Sequence, residues 1–374
     1  MNKKLKKKIG WLHLWLGLSS GLVVFIVALT GSLMVFEEEI DSFINPEFYN
    51  VPSIGTSKKS LDYCISVLEK DYSIKKISRI STWDDKSRTI VITGKNKDKE
   101  SQIFSMDPYT GKVLGTVLYR DRFFSIVLSL HRELLLGDIG KIITGVSCLI
   151  FVFLLLSGLI LWWPKKVQNL RQRLTVKWNS SFKRVNWDFH STFGFYSFLF
   201  LLIIALTGLV WSFDWFEKGL YFLADGAVKK VSLKVENPTK IDPKLDQKSF
   251  YQNIYNKTDS IFPYKGNIQI RIPSDTINSI QVLKEHLDIS IPDQSSAVYF
   301  DKYTGENIEI RPYASFSRGD TVKRLVYPIH TGSVFGYPTK IIAFFVTLFA
   351  LTLPITGLII WLGRKKKKSN SKIV

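Results

Sequence analysis

The chain has 374 residues, with 51 Lys and Arg against 32 Asp and Glu, which gives a formal charge of +19. A charge excess of this size could indicate a nucleic-acid-binding protein, but it is concentrated in three short segments, 1–10, 164–189 and 364–374. These segments hold 18 of the basic residues and one acidic residue. Since each adjoins a long apolar run, we interpret the charge as the positive-inside signature of a membrane protein and exclude nucleic acid as its partner.

Four apolar segments are long enough to cross a hydrocarbon core, which takes about 20 residues. In chain order, the spans are predicted within 11–36, 131–163, 190–216 and 330–363. The two basic tails and the basic central loop are expected on the cytoplasmic side, which requires an even number of crossings. The sequence therefore predicts a membrane protein built on an all-α bundle of four transmembrane helices, with both termini cytoplasmic. Pro354 predicts a kink in the last span.

Two long segments, 37–130 and 217–329, separate the spans on the outer side of the membrane. Each mixes charged residues, turns and short strand-like stretches, so we expect an extracytoplasmic α+β domain from each. Related turns lie near the ends of the two segments: Asp107-Pro-Tyr-Thr-Gly111 and Asp301-Lys-Tyr-Thr-Gly305. In both, Asp starts the turn and Gly supplies a positive φ between two strands.

Four of the five histidines recur as two pairs: His13 with His190, 177 residues apart, and His131 with His330, 199 residues apart. Two short motifs recur with the same offsets: Ala28-Leu-Thr-Gly31 with Ala205-Leu-Thr-Gly208, and Ser157-Gly-Leu-Ile160 with Thr356-Gly-Leu-Ile359. We interpret the pattern as a parallel internal duplication, in which one unit of two spans and two histidines appears twice.

Because each half crosses the membrane twice, both halves have the same orientation and are related by an axis along the membrane normal. The two histidines of a pair can then face each other across this axis. A planar cofactor between them would receive one imidazole on each face, as a six-coordinate b-type haem requires. We therefore predict two haem b groups, one at His13 and His190 near the cytoplasmic side and one at His131 and His330 near the outer side.

Other interpretations of the histidines were weighed. One such residue alone is often only a polar group at a helix end, but ionisable residues at membrane depth are rare and usually functional. Zinc also binds imidazole, yet no Asp, Glu or Cys recurs beside both members of a pair to complete a tetrahedral site. His286 has no repeat partner and is interpreted as a solvated or locally bonded surface histidine. Glycines within the spans indicate close helix packing or room for a macrocycle.

In its membrane-associated motifs, the chain resembles the PepSY-associated transmembrane proteins, the iron-regulated membrane proteins that include ferric-siderophore reductases of the bacterial inner membrane. The resemblance covers nearly the whole chain. Its carriers are Trp11-Leu-His-Leu-Trp-Leu-Gly17, Leu130-His-Arg-Glu-Leu-Leu-Leu-Gly137, Asp188-Phe-His-Ser-Thr-Phe-Gly194 and Tyr327-Pro-Ile-His-Thr-Gly332, together with the repeated motifs above. The two outer Asp-x-Tyr-Thr-Gly turns look like those of PepSY domains.

The resemblance implies two PepSY-like outer domains, two b haems ligated by His13, His131, His190 and His330, and reduction of a ferric siderophore or other Fe(III) chelate at the outer face. Electrons would come from a cytoplasmic or quinol donor, and the Fe(II) produced would leave a hard-oxygen chelator. The outer motif differs between the halves, because Arg132 follows His131 whereas Thr331 follows His330. Arg132 could pair with a haem propionate or, equally, extend to the membrane interface.

Five basic residues flank the outer histidines and could attract an anionic chelate: Arg120, Arg122, Arg318, Lys323 and Arg324. Anchoring at the membrane surface explains them equally well.

Two other functions remain open at this point. PepSY modules also occur in proteins that sense or restrain extracytoplasmic proteases, in which the spans would be anchors. A metal or siderophore permease is a third possibility, although the spans lack the paired acidic residues expected for proton coupling.

Overall fold

The computed structural model describes residues 2–228, 235–239, 249–275, 277–289, 291–292 and 294–370. It divides into two compact units. One comprises Met1–Phe36, Val127–Leu220 and Leu325–Val374, and the other comprises Glu37–Ile126 and Tyr221–Arg324. We call the first the helical unit and the second the sheet unit.

The α-helices in chain order are α1 (Lys3–Met34), α2 (Glu37–Ile44), α3 (Leu61–Asp71), α4 (Phe123–Glu133), α5 (Gly137–Trp162), α6 (Leu170–Arg173), α7 (Phe182–Asp188), α8 (Gly194–Ser212), α9 (Asp214–Asp225), α10 (Phe250–Ile261), α11 (Arg318–Thr331), α12 (Tyr337–Ala350) and α13 (Thr352–Asn370). The strands are β1 (Lys76–Thr82), β2 (Ile90–Lys95), β3 (Ser101–Met106), β4 (Val113–Leu118), β5 (Ile268–Arg271), β6 (Ile280–Glu285), β7 (Ser295–Phe300) and β8 (Asn307–Arg311).

Four helical stretches in the helical unit are long and apolar enough to cross a membrane: Lys3–Met34, Gly137–Trp162, Phe182–Ser212 and Tyr337–Gly363. They correspond to the four predicted spans. The third begins at Phe182, ahead of the predicted start at His190, because the basic loop already turns into α7 and a π-helical turn, Phe189–Phe193, joins α7 to α8. An ion pair between Arg184 and Asp188, four residues apart, supports this added turn.

The last span is divided as its proline predicts. Helix α12 ends at Ala350 and α13 begins at Thr352, with Leu351 between them. The ring of Pro354 is incompatible with the carbonyl of the residue four positions earlier, which is Ala350. The structure therefore shows a one-residue interruption of the helix just before Pro354, where the sequence predicts a kink.

The sheet unit contains one antiparallel sheet of eight strands in the order β4-β3-β2-β1-β5-β6-β7-β8. Residues 37–130 and 217–329 each include a helix that is followed by four strands: α3 with β1–β4, and α10 with β5–β8. The expected α+β arrangement is present in both segments, and pairing of β1 with β5 joins them into a continuous sheet. Helices α3 and α10 pack on one face through a shared core that includes Leu68, Ile92, Ile254 and Val298.

Both predicted turns connect the last two strands of their segment. Gly111 and Gly305 have φ angles of +75° and +67°, which favour glycine. The Oδ1 atoms of Asp107 and Asp301 each accept a hydrogen bond from the backbone N–H two residues later, at 2.8 Å in both. The turn chemistry inferred from the sequence is confirmed at both positions.

Candidate cofactor site

The four repeated histidines all belong to the helical unit. We call His13 and His190 the first pair, and His131 and His330 the second pair. In the second pair the two imidazole rings meet edge-on, with centroids 6.2 Å apart and planes inclined by 72°. The structure therefore brings together two residues that are 199 positions apart in the sequence.

His131, near the end of α4, packs against the last two turns of α1. Its Nδ1 atom lies 3.0 Å from the carbonyl oxygen of Val27 and 3.1 Å from Oγ1 of Thr30. A Cβ atom placed on Gly31 would be only 3.1 Å from Cε1 of this imidazole. The glycine thus leaves the space in which the ring is seated.

His330, near the end of α11, makes the same set of contacts on α8. Its Nδ1 atom lies 2.9 Å from the carbonyl oxygen of Ile204 and 3.0 Å from Oγ1 of Thr207. A Cβ on Gly208 would be 3.3 Å from its Cε1. The Trp211 ring meets this imidazole edge-on, with centroids 5.1 Å apart.

In the first pair, each imidazole packs on the second span of its own half. His13 in α1 places Nδ1 2.8 Å from Oγ of Ser157 on α5, and a Cβ on Gly158 would be 3.4 Å from its Cε1. His190 lies in the π-helical turn, a local insertion often found at functional positions. Its surroundings are equivalent, with Nδ1 2.7 Å from Oγ1 of Thr356 and a Gly357 Cβ 3.7 Å from its Cε1. His13 lies within electrostatic range of His190.

The hydrogen bonds fix the tautomer of the imidazoles. A carbonyl oxygen only accepts, so His131 and His330 must carry their proton on Nδ1. In the first pair the hydroxyls are already committed as donors: Ser157 donates to the carbonyl of Leu154 at 3.2 Å, and Thr356 donates to that of Thr352 at 2.7 Å. They can therefore accept from Nδ1–H. In all four histidines the lone pair is left on Nε2, the atom available to a metal.

The hydroxyl groups beside the glycines were not identified as functional from the sequence. The motifs that contain them were used as markers of the repeat, and the glycines as signs of close packing. In each motif, a Thr or Ser hydroxyl contacts one histidine, and a glycine follows directly: Thr30-Gly31, Ser157-Gly158, Thr207-Gly208 and Thr356-Gly357. The signal was in the sequence, since this dipeptide recurs four times with the histidine offsets.

Arg132 has an exposed side chain next to His131, and its carbonyl oxygen accepts a hydrogen bond from Thr144 at 2.7 Å. The corresponding Thr331 bonds to its own helix, at the carbonyl of Tyr327. The two halves therefore differ in charge at this position: a positively charged residue follows His131, and a neutral residue follows His330.

The five basic residues proposed to attract a chelate belong to the sheet unit. Arg120 pairs with Glu100 and Asp121, Arg122 pairs with Glu37 and Asp41, and Arg324 donates to the carbonyl of Ser295 and lies over the Phe316 ring. Arg318 is exposed and Lys323 is half-buried.

Arg122 belongs to a network that holds Asp41 ionised. Burial of Asp41 raises the pKa of its carboxyl group, but hydrogen bonds from Arg122, Tyr49 and Asn45 outweigh burial and lower the pKa below its ordinary value. Because Arg122 is committed to this carboxylate, it has a structural role whether or not a ligand also approaches it.

His286 is less exposed than the sequence suggested. Its side chain is 16% exposed, its ring stacks on Tyr264 at a centroid distance of 3.8 Å, and its Nε2 lies 3.1 Å from Oγ of Ser296. The expected local hydrogen bond is present, in a half-buried stack within the sheet unit. His286 is therefore a useful control for the four repeated histidines.

Comparison with known proteins gives a family match that covers nearly the whole chain. Residues 10–364 match the family described as the PepSY-associated TM region. This range includes all four repeated histidines, the sheet unit, the last three candidate spans and most of the first. No curated protein matches the sequence.

Proposed function

The chain belongs to the PepSY-associated TM family, and we propose that it is a haem-dependent transmembrane oxidoreductase of the bacterial inner membrane. In this proposal it reduces a ferric siderophore or another Fe(III) chelate on the outer side and releases Fe(II) for iron acquisition. The observation that carries the proposal is the seating of four imidazoles with Nδ1 bonded and Nε2 left as the free nitrogen.

The donor set fits two b haems. His131 and His330, whose ring centroids are 6.2 Å apart, would together hold one haem iron, and His13 and His190 would hold the other. Among the described residues no group of three His, Cys, Asp or Glu forms a metal-ligand cluster, and a haem iron requires only two ligands from the protein.

The chain's own groups would orient and tune these ligands. A hydrogen bond from Nδ1–H to an oxygen fixes the rotation of the ring and makes Nε2 a stronger ligand. Glycine at each seat lets the ring approach the neighbouring helix closely. When bound, the two haems would supply one-electron carriers at two depths in the membrane. The protein would set their spacing through the helices that bear His13 and His131, His190 and His330.

The positions of the basic segments support a direction for the electrons. With both termini and the loop 164–189 on the cytoplasmic side, the first pair lies toward the cytoplasm and the second pair toward the outer surface. A cytoplasmic or quinol donor would therefore reduce the first site. The matched seats in the two halves are the outcome expected of a parallel internal duplication, which we propose as the origin of the two-site arrangement.

The outer reaction follows from the coordination chemistry of iron. Hard oxygen chelators hold Fe(III) much better than Fe(II), so transfer of one electron to the bound iron weakens the complex and releases the metal. No covalent intermediate with the protein is required. Arg132 would place one positive charge beside the second site, where a haem propionate can accept its hydrogen bonds.

The proposal is tested by mixing purified protein, reduced with dithionite and freed of excess reductant, with Fe(III) citrate under anaerobic conditions. We expect the haem absorbance to return to the oxidised form while a ferrous-specific dye reports one Fe(II) for each electron lost. A His330→Ala variant should lose this reaction, and His286→Ala should retain it. Reduced wild-type protein that is not reoxidised by any of several Fe(III) chelates would contradict the reductase function.

A further inference from the structure

Trp162, the last residue of α5, carries a buried N–H group that has no hydrogen-bond partner among the residues that the structure describes. The residue is only 4% exposed, so water does not reach most of its ring. A buried tryptophan N–H usually donates a hydrogen bond, because the donor has lost its contact with bulk water. The Nε1 atom of Trp162 is therefore a donor that is available to a ligand.

Two neighbours place Trp162 beside the first histidine pair. Gly158, four residues earlier on α5, is the glycine whose Cβ would lie 3.4 Å from the His13 ring, and residues four apart lie on the same face of a helix. The indole also stacks on Phe195 in α8, with ring centroids 3.7 Å apart and planes inclined by 9°. Phe195 follows His190 by five residues. Trp162 thus adjoins both the helix that seats His13 and the segment that bears His190.

The charges at this end of α5 favour an anionic ligand. Nζ of Lys6 donates a hydrogen bond to the backbone carbonyl of Trp163, the residue after Trp162, at 3.1 Å. Lys6 also lies within electrostatic range of Lys165 and Arg173. An available N–H donor near three basic residues suits a carboxylate, because a hydrogen bond to an ionised acceptor is about twice as strong as one between neutral groups.

We propose that Nε1–H of Trp162 donates a hydrogen bond to a propionate carboxylate of the haem at the first pair. The inference rests on the proposed function, which assigns a b haem to His13 and His190. Trp162 is in this role a positioning residue. Its ring is held by the stack on Phe195, so the N–H would orient the propionate and limit rotation of the macrocycle about the axis through the two imidazoles.

The equivalent tryptophan of the second half differs from Trp162. Trp361 comes 199 residues later and four residues after Gly357, the glycine beside the His190 ring, so it occupies the matched position of the repeat. It is half-buried and already has an interaction of its own. The proposal therefore assigns the donor role to Trp162 alone, and Trp361 provides a control with the same side chain.

The test compares Trp162→Phe with Trp361→Phe in the purified full chain, loaded in cells with haem that is isotopically labelled in its propionate carboxylates. Infrared difference spectra between the oxidised and reduced protein report the carboxylate stretching bands. Trp162→Phe should shift these bands for one of the two haems. It should also speed transfer of that haem to apomyoglobin about tenfold, which corresponds to the loss of one hydrogen bond to a charged group. Trp361→Phe should leave both readouts unchanged.

A second variant separates the hydrogen bond from packing. Replacement of Trp162 by benzothienylalanine keeps a fused bicyclic ring and exchanges only the N–H for sulfur, so it should reproduce the infrared shift of Trp162→Phe. The inference is overturned if the benzothienyl protein has the wild-type bands, if neither change at Trp162 alters them, or if Trp361→Phe causes an equal shift. These outcomes leave the proposed function intact, since both haems are still bound. Wild-type protein that contains no haem would overturn the inference and the proposed function together.

Discussion

The histidines of both pairs are held by contacts to Nδ1, but the number of acceptor atoms differs between the pairs. In the second pair each Nδ1 lies near both a backbone carbonyl and a threonine hydroxyl. In the first pair the structure gives each Nδ1 one side-chain acceptor, Ser157 for His13 and Thr356 for His190. The second pair is therefore oriented partly by the main chain, which mutation cannot remove, whereas the first depends on a side chain.

This difference matters for the proposed two-site electron carrier. A carbonyl acceptor fixes the tautomer without the help of a hydroxyl, so the second pair should tolerate changes in its surroundings better than the first. The first pair also contains the π-helical turn at His190, a departure from regular helix geometry.

Removal of a single imidazole should empty one site and leave the other. His131→Ala and His13→Ala are each expected to reduce the haem content from two groups per chain to one, because six-coordinate ligation needs both members of a pair. Haem extraction and pyridine haemochrome quantification provide the measurement. His286→Ala is the control and should retain both groups; loss of neither haem in the two site variants would reject the ligand assignment.

Loss of one hydroxyl should distinguish the pairs. Thr356→Val and Thr207→Val make the same change at equivalent seats, but only His330 keeps a carbonyl acceptor, that of Ile204. We expect Thr356→Val to weaken retention of its haem about 10- to 100-fold, the usual effect of losing a partner of a metal-bound histidine. Thr207→Val should have a clearly smaller effect. Haem transfer to apomyoglobin measures retention, and equal losses in the two variants would refute the comparison.

Added bulk at the glycines should follow the measured clearances. A Cβ on Gly31 would lie 3.1 Å from the His131 ring, whereas a Cβ on Gly357 would lie 3.7 Å from the His190 ring. Gly31→Ala must therefore displace its imidazole, and Gly357→Ala places the methyl in ordinary contact. Optical spectra of the two variants should show a perturbed haem in the first case only. An unaltered Gly31→Ala spectrum would argue against close seating of the ring.

The smallest effect is expected from Arg132→Thr, which gives the first half the residue found in the second. The side chain is exposed, and an exposed charge contact contributes about 1 kcal/mol or less. Loss of the positive charge disfavours the reduced form, so the potential of one haem should fall by less than about 50 mV. Potentiometric titration would show it, and a rise in potential would contradict the proposed pairing with a propionate.

Much of the histidine arrangement could be predicted from the sequence, because the repeated segments contain both the histidines and the motifs that contact them. Two offsets, 177 and 199 residues, relate both the histidine pairs and the motifs that contact them, so the pairing of His131 with His330 could be predicted from position alone. The helix interruption before Pro354 and the two Asp-to-Gly turns followed from local backbone rules. In these cases the determining residues are close together in sequence.

Other features depend on contacts that no local pattern encodes. The carbonyls of Val27 and Ile204 accept from histidines more than 100 residues away, and any residue has a carbonyl. Pairing of β1 with β5 likewise joins strands whose composition shows that they are strands but not which strands they meet. That pairing places Arg79 directly opposite Arg271, which the sequence alone could not reveal.

The most direct measurement for the central claim is the absorption spectrum of the purified, dithionite-reduced protein together with its haem content. Four seated imidazoles with Nε2 available predict sharp b-type bands and about two haem groups per chain. Colourless protein from cells with ample haem would contradict the account, since the histidine pairs would then have no cofactor to hold.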